Sequence, residues 1–170
     1  ADNGLPGLLG NTNIPEVTLA ADGTGTSKTF ASKTADKIVR DINALINKVI
    51  TQSKGIHRVN QVWLPIEQYA LIATTQNSAA SDTTILEFLQ KNHPGVEFKQ
   101  VVEMDGAGAG GADRMYAMEN SMENWQLEIP MMIKQYSPQQ KGLEFEVPVE
   151  SRFAGVIIEY PLAFAFADGI

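Results

Sequence analysis

The sequence predicts an α+β fold on three observations: one long stretch with helical periodicity, two shorter helical stretches after it, and runs in the second half where apolar and polar residues alternate. The strands and helices do not follow a regular βαβ order, which separates this class from a doubly wound parallel sheet. With 170 residues, 44% of them hydrophobic, the chain can bury one core or two small lobes sharing one.

The long stretch is Thr34 to Lys54. Ile38, Ile42, Leu45 and Val49, flanked by Val39, Ile46 and Ile50, recur at steps of three and four and so share one face of a 3.6-residue turn. Lys37, Arg40, Asp41, Asn43, Asn47 and Lys48 form the opposite, solvent-facing side. The hydroxyl of Thr34 or Ser32 is placed to cap the first turn, Asp36 suits the positive helix start, and Gly55 supplies the stop. At 1.5 Å per residue the rod is about 30 Å long, the width of a small domain.

Before it, residues 1–31 are rich in Gly, Asn, Thr and Ser, with short apolar pieces only, and read as an extended leader. After it, Val59 to Leu64 reads as a strand feeding a helix that opens at Pro65 and carries Tyr69, Leu71 and Ile72. The polar loop Thr74 to Ser81 leads to a second short helix, Thr83 to Lys91, capped by Asp82 and closed by Asn92-His93-Pro94-Gly95. Val96 to Met104 reads as a strand and Gly106 to Gly111 as a flexible loop. Leu127, Ile129, Met131 and Ile133 take every second place in one run, and Leu143, Phe145, Val147 and Val149 do so in another, with Glu144, Glu146 and Glu150 pointing the other way. These are expected to be two half-buried strands, with Pro130 and Pro148 marking edges or bulges. Val156 to Tyr160 and Leu162 to Phe166 complete the chain as strands hinged at Pro161.

Composition narrows the chemistry. The chain has no cysteine, which removes disulfides, thiolate metal sites and a cysteine nucleophile. No apolar run approaches the roughly 18 residues that cross a bilayer, and the first residues lack the basic start and apolar core of a signal peptide, so no membrane partner is expected. The chain opens on Ala1 instead of methionine, which leaves room for preceding sequence. Net charge is −7. Lys28, Lys33, Lys37, Arg40, Lys48, Lys54 and Arg58 surround the long helix against Asp36 and Asp41, a local net of +5, leaving −12 elsewhere. A basic face of this kind is commonly a solvated surface and is also the minimum footprint of a polyanion contact.

The motifs that could carry catalysis are each weak. Gly106, Gly108 and Gly111 satisfy G-x-G-x-x-G, but the flanking Asp105 and Asp113 would repel phosphate and Ala112 to Asn120 lacks a helical face, so the stretch reads as a mobile surface loop. His57 and His93 are the only histidines; both lie in turns without a nucleophile elbow and read as solvated. Glu144 and Glu146 could act as acid and base, yet any solvent-facing strand shows that spacing. Asp105 and Asp113 are too few for a calcium site. Trp63, Trp125 and Tyr136 are not interleaved with basic residues and read as packing groups. No cofactor or metal is expected.

Three stretches carry a resemblance: a leader of the GLPGLLGNTNIPEV kind, Val62 to Phe98, and above all Asp113 to Ile170 with its Glu150-Ser151-Arg152-Phe153 strand end, Tyr160-Pro161 and the apolar finish through Ala163-Phe164. Together they resemble the major capsid proteins of tailed bacteriophages. The resemblance implies the Hong Kong 97-type capsid fold, with a long spine helix, a peripheral lobe of long strands and an axial lobe whose sheet is flanked by short helices. It implies a spine at Thr34 to Lys54, whose apolar face seats the peripheral strands. Residues 32–58 and 114–150 would form the peripheral-lobe part, and 59–113 with 151–170 the axial part. In that family an N-terminal arm and an extended hairpin precede the spine, and the short leader here implies a fragment lacking both, a monomer or weak oligomer by itself.

The function so implied is structural and not enzymatic: a subunit that self-assembles into an icosahedral shell around double-stranded DNA, in the virion and, before assembly, in the bacterial host cytoplasm. Partners would be copies of itself, scaffold, portal or decoration proteins, and packaged DNA contacted without sequence reading by Lys37, Arg40 and Lys48. The alternatives are a small nucleotide-binding enzyme using Gly106 to Gly111, and a monomeric binding module presenting that loop.

Overall fold

Helix α1 spans Ala35–Gln52 and buries Ile38, Ile42, Leu45, Ile46 and Val49, the stripe set by their spacing. The computed structural model describes residues 7–78 and 80–170; the first six residues of the leader and one residue of the Thr74–Ser81 loop lie outside them. Thr34 is the residue that caps α1, but through its carbonyl, which accepts from the N–H groups of Lys37 and Ile38, and not through its hydroxyl. The far end closes with Lys54 at φ +55°, Gly55 at φ +83°, and the Gly55 N–H donating to the Ile50 carbonyl at 2.8 Å. That is the left-handed stop expected of Gly55, begun one residue earlier.

Four strands make the central sheet: β1 (Gln61–Leu64), β2 (Glu97–Gln100), β3 (Arg114–Met118) and β10 (Phe164–Asp168), in the order β10-β3-β1-β2. β1 and β2 are parallel, and the other two pairings are antiparallel. The period-2 alternation of these strands sorts two apolar clusters onto the two faces. Val62, Leu64, Met115, Ala117, Ala165 and Ala167 pack with α1 and with helices α2 (Ile66–Thr74) and α3 (Ile85–Asn92). Tyr116, Met118 and Phe164 face the other way, where Ile14, Leu8 and Leu9 of the leader, together with Trp125 and Ile158, cover them. α1 lies across β10 and β3, and the alanines at 117, 165 and 167 let it come close. The spine-like helix therefore packs on the four-stranded sheet, not on the alternating strands expected beneath it, because those strands leave the body altogether.

Other boundaries moved for identifiable reasons. α3 is capped by Thr84, whose hydroxyl accepts from the Glu87 N–H, and not by Asp82. β2 is only four residues long, and Val102–Met104 turns instead of extending it. The leader is more than an extended lead-in: Phe30 is fully buried, and Val17 N–H donates to the Phe166 carbonyl at 2.7 Å, so the chain runs beside the β10 edge.

Candidate assembly surface

Between β3 and β10 the chain forms one long hairpin of nested two-stranded ladders. β4 (Trp125–Glu128) pairs with β9 (Gly155–Ile158), β5 (Met131–Gln135) with β8 (Val149–Arg152), and β6 (Gln139–Lys141) with β7 (Glu144–Glu146). Pro130 and Pro148, expected at edges or bulges, lie between ladders, where no amide donor is required. The reversal at Gly142 and Leu143 needs left-handed backbone, and Gly142 has φ +70°. The alternating residues therefore form β-structure as expected, in four short strands instead of two long ones.

Their burial is where the expectation fails. Met132 is 77% exposed, Ile133 74%, Phe145 71% and Leu143 fully exposed, and Leu127, Val147, Val149, Phe153 and Ile157 are exposed as well. The two sides of the ribbon nevertheless differ. Tyr136 donates to Glu150 at 2.9 Å, Arg152 pairs with Glu150 at 2.9 Å, and Lys141 pairs with Glu146 at 3.1 Å, all within the outer ladders. Glu150 holds the Tyr136 phenol above its ordinary value, first as hydrogen-bond acceptor and then through its charge. Leu143, Phe145, Val147 and Val149 alternate with the acids and project from the opposite side. A two-stranded ribbon is marginal by itself, and an apolar strip of this extent is unusual on a chain that stays alone. Glu144 and Glu146 thus belong to a ribbon's charged side, with no pocket around them.

At the root of the hairpin a groove of about 390 Å³ is lined by Gln52, Ile56, His57, Tyr160, Pro161 and Leu162. His57 is not solvated: its Nδ1 lies 2.6 Å from a Glu119 carboxylate oxygen, and its ring meets Tyr160 with centroids 5.6 Å apart. The Asn124 side chain donates to the Glu119 carbonyl at 2.8 Å, and its own carbonyl accepts from the Glu159 N–H at 2.9 Å, which ties both legs of the hairpin to the body. His93 is likewise half-buried, 2.7 Å from the Asn43 side-chain oxygen. The sequence separation of 62 between His57 and Glu119 explains why sequence could not pair them.

The basic face of α1 is also partly spent. Asp41, expected on the solvent side, is buried against Lys33, which folds back from eight residues upstream. Arg40 pairs with Asp41 at 2.8 Å and with Asp22 at 2.6 Å, and Lys37 donates to the Asp22 carbonyl. Arg40 holds Asp22 below the ordinary carboxylate value, against a smaller opposing effect of burial. Lys48 remains exposed, with no ion pair among the described residues.

The glycine stretch is held, not loose. The Gly106 N–H donates to Asp113 and the Ala109 N–H to Asp168, each at 3.0 Å, and a side chain at Gly108 would meet the Ala112 carbonyl at 2.7 Å. Its donors already face carboxylates, and a strand follows it where a dinucleotide site needs a helix, so it is no phosphate cradle. Asp105 has its carboxyl raised by the hydrogen bond to Asp113 and then by that neighbour's charge. Trp63 packs near Tyr116 in the core, and Trp125 at the hairpin root.

The family model described as major capsid protein matches residues 1–170. Among solved structures, the capsid of Myoviridae phage XM1 superposes with a TM-score of 0.77 at 22% identity, covering 93% of this chain and 52% of that one. A virus-like particle from Pyrococcus furiosus gives 0.58 at 12% identity over 94% and 58%. A phage-related protein from Bordetella bronchiseptica gives 0.57 at 9% identity over 94% and 57%. The chain thus spans little more than half the length of the solved chains it matches. No curated protein matches it.

Proposed function

Because the chain belongs to the major capsid protein family, matched over all of residues 1–170, we propose that it is the part of a structural subunit that assembles with copies of itself into an icosahedral shell around phage double-stranded DNA. The exposed apolar side of the Trp125–Ile158 hairpin carries this reading, because a surface with that spacing and no cover among the described residues calls for cover from a neighbour. The division into a peripheral-lobe part, residues 32–58 and 114–150, and an axial-lobe part, residues 59–113 and 151–170, belongs to the same proposal. The subunit works without enzymatic chemistry, waits in the host cytoplasm and ends in the virion, alongside scaffold, portal or decoration proteins.

Expression of the complete reading frame tests this by electron microscopy. Shells or capsomer-like rings are expected, and Phe145→Asp with Val149→Asp should leave folded subunits that form neither. Shells formed as readily by that variant would sink the role given to the hairpin. DNA contact through the α1 face is the second part of the proposal, and Lys48 is its best-placed member, since Asp22 already occupies Arg40 and Lys37. Charge reversal at Lys37, Arg40 and Lys48 should lower genome retention in assembled particles; unchanged retention removes that part alone.

A further inference from the structure

Two cations of the α1 face converge on one residue of the leader. Arg40 donates through Nη1 to the Asp22 carboxylate at 2.6 Å, and the Lys37 ammonium donates to the Asp22 carbonyl. The buried Lys33 ammonium lies 3.9 Å from the other carboxylate oxygen, Oδ1, which is itself buried and accepts no hydrogen bond among the described residues. Lys33, Lys37 and Arg40 against Asp22 and Asp41 leave a local charge of +1, which becomes +2 without Asp22. A guanidinium and an ammonium that meet on one anion are also the donors that a DNA backbone phosphate meets on a protein.

The segment that brings Asp22 there is held by its contacts and not by its own preference. In the turn at residues 22–27 the Gly23 N–H donates to the Ser27 carbonyl at 2.9 Å. Gly25 at φ +69° and Thr26 at φ +61° both take left-handed backbone, which is strained for the β-branched Thr26. A Cβ at Gly23 would lie 2.3 Å from the Ser32 Oγ and 2.7 Å from the Ser27 carbonyl oxygen, so the turn seats against Ser32 only because residue 23 has none. The side chains of Asp22 and Arg40 are 29% and 48% exposed, so the pair can part without opening the core.

We propose that Asp22 is an internal counter-ion that closes Lys37 and Arg40 to DNA until the turn at residues 22–27 is displaced, when a backbone phosphate takes its place. Lys33 stays with Asp41 in both states, and Lys48 is open in both. The inference rests on the DNA-contact part of the reading above and adds the group that gates it.

Binding of the complete protein, as unassembled subunits, to a short random-sequence DNA duplex tests it, read by fluorescence anisotropy at several salt concentrations. The unsubstituted protein should bind weakly, with a shallow dependence on salt. Asp22→Asn should bind about tenfold or more tightly at low salt, with a slope of log affinity against log salt steeper by about 1–2, the increment for one or two further phosphates. Gly23→Ala changes no charge and should move both quantities the same way. Asp36→Asn makes the same charge change at an exposed carboxylate that has no ion pair among the described residues, and should leave the slope as it is. Lys37→Gln with Arg40→Gln should cancel the gain of Asp22→Asn. Equal slopes for the unsubstituted protein, Asp22→Asn and Gly23→Ala would overturn the gate and leave DNA contact in place, as would a slope steepened equally by Asp36→Asn. No binding by any form would overturn both.

Discussion

The body strands are apolar on both faces, as in Met115 to Met118 and Phe164 to Ala167, and bury both, whereas the hairpin strand around Phe145 alternates apolar and acidic residues and exposes its apolar side. In β3 all five residues are buried, because one face meets α1 and the other meets the leader and the hairpin root. In β7 all three are exposed, Phe145 included, because nothing among the described residues lies over the ribbon. Alternation fixes which side chains share a face; it does not say whether the cover comes from the same molecule. The body is expected to respond to substitution in its folding, the hairpin in its association.

The largest effect on folding is expected at Lys33. Its ammonium is wholly buried against Asp41, and Lys33→Ala leaves that carboxylate with only the partly exposed Arg40 and an emptied site. A loss of about 3–5 kcal/mol in unfolding free energy is expected, because an uncompensated buried charge is costly. Urea titration reads it, and a loss below 1 kcal/mol would mean Arg40 suffices. Leu45→Ala, under the centre of α1, should lose about 2–5 kcal/mol, with the cavity adding to the lost burial.

Asp168 is next, at the end of β10, where it pairs with Arg114 at 2.6 Å and accepts from the Ala109 N–H. Burial pushes its carboxyl up, but the Arg114 guanidinium, the Ala109 N–H and the charge of Lys28 together outweigh that and leave it below the ordinary value. A lowered carboxylate contributes stability above its unfolded value of about 3.9, and that contribution is lost as pH falls through the lower folded value. Asp168→Asn should therefore lose about 1.5–3 kcal/mol at neutral pH. It should also flatten the acid limb of stability below about pH 4. An acid limb identical to that of the unsubstituted protein would count against this pair as its source. Thr84→Ala, which removes the α3 cap, should lose about 1 kcal/mol by the same titration.

How much could be read in advance follows the range of each interaction. The α1 stripe, its stop at Gly55 and the pairing of Pro65 with a helix start are local, and all are legible in the sequence. Asp41 was misplaced because its partner Lys33 lies outside the helix, and His57 because Glu119 arrives from another strand. The glycine loop looked free because its tether, Asp168, is 59 residues from Ala109. The hairpin's exposed side goes one step further: alternation places Phe145 and Val149 on one side of a strand and carries no information on whether the described residues cover them.

The smallest effect on folding, and the sharpest separation of the two regions, is expected at the hairpin tip. Leu143 and Phe145 bury little in the isolated subunit, so Leu143→Ser with Phe145→Ser should change its unfolding free energy by no more than about 0.5 kcal/mol, the usual range for surface positions. The same pair of changes removes most of the tip's apolar surface, so assembly of the complete protein should fall steeply at unchanged subunit stability. Sedimentation at several concentrations, run beside the urea titration, reads both quantities on one sample. If the serine variant unfolded several kcal/mol earlier, the tip would be packed within its own chain and the contrast between body and hairpin would collapse. If it stayed stable and still assembled, the hairpin would be exposed without being used.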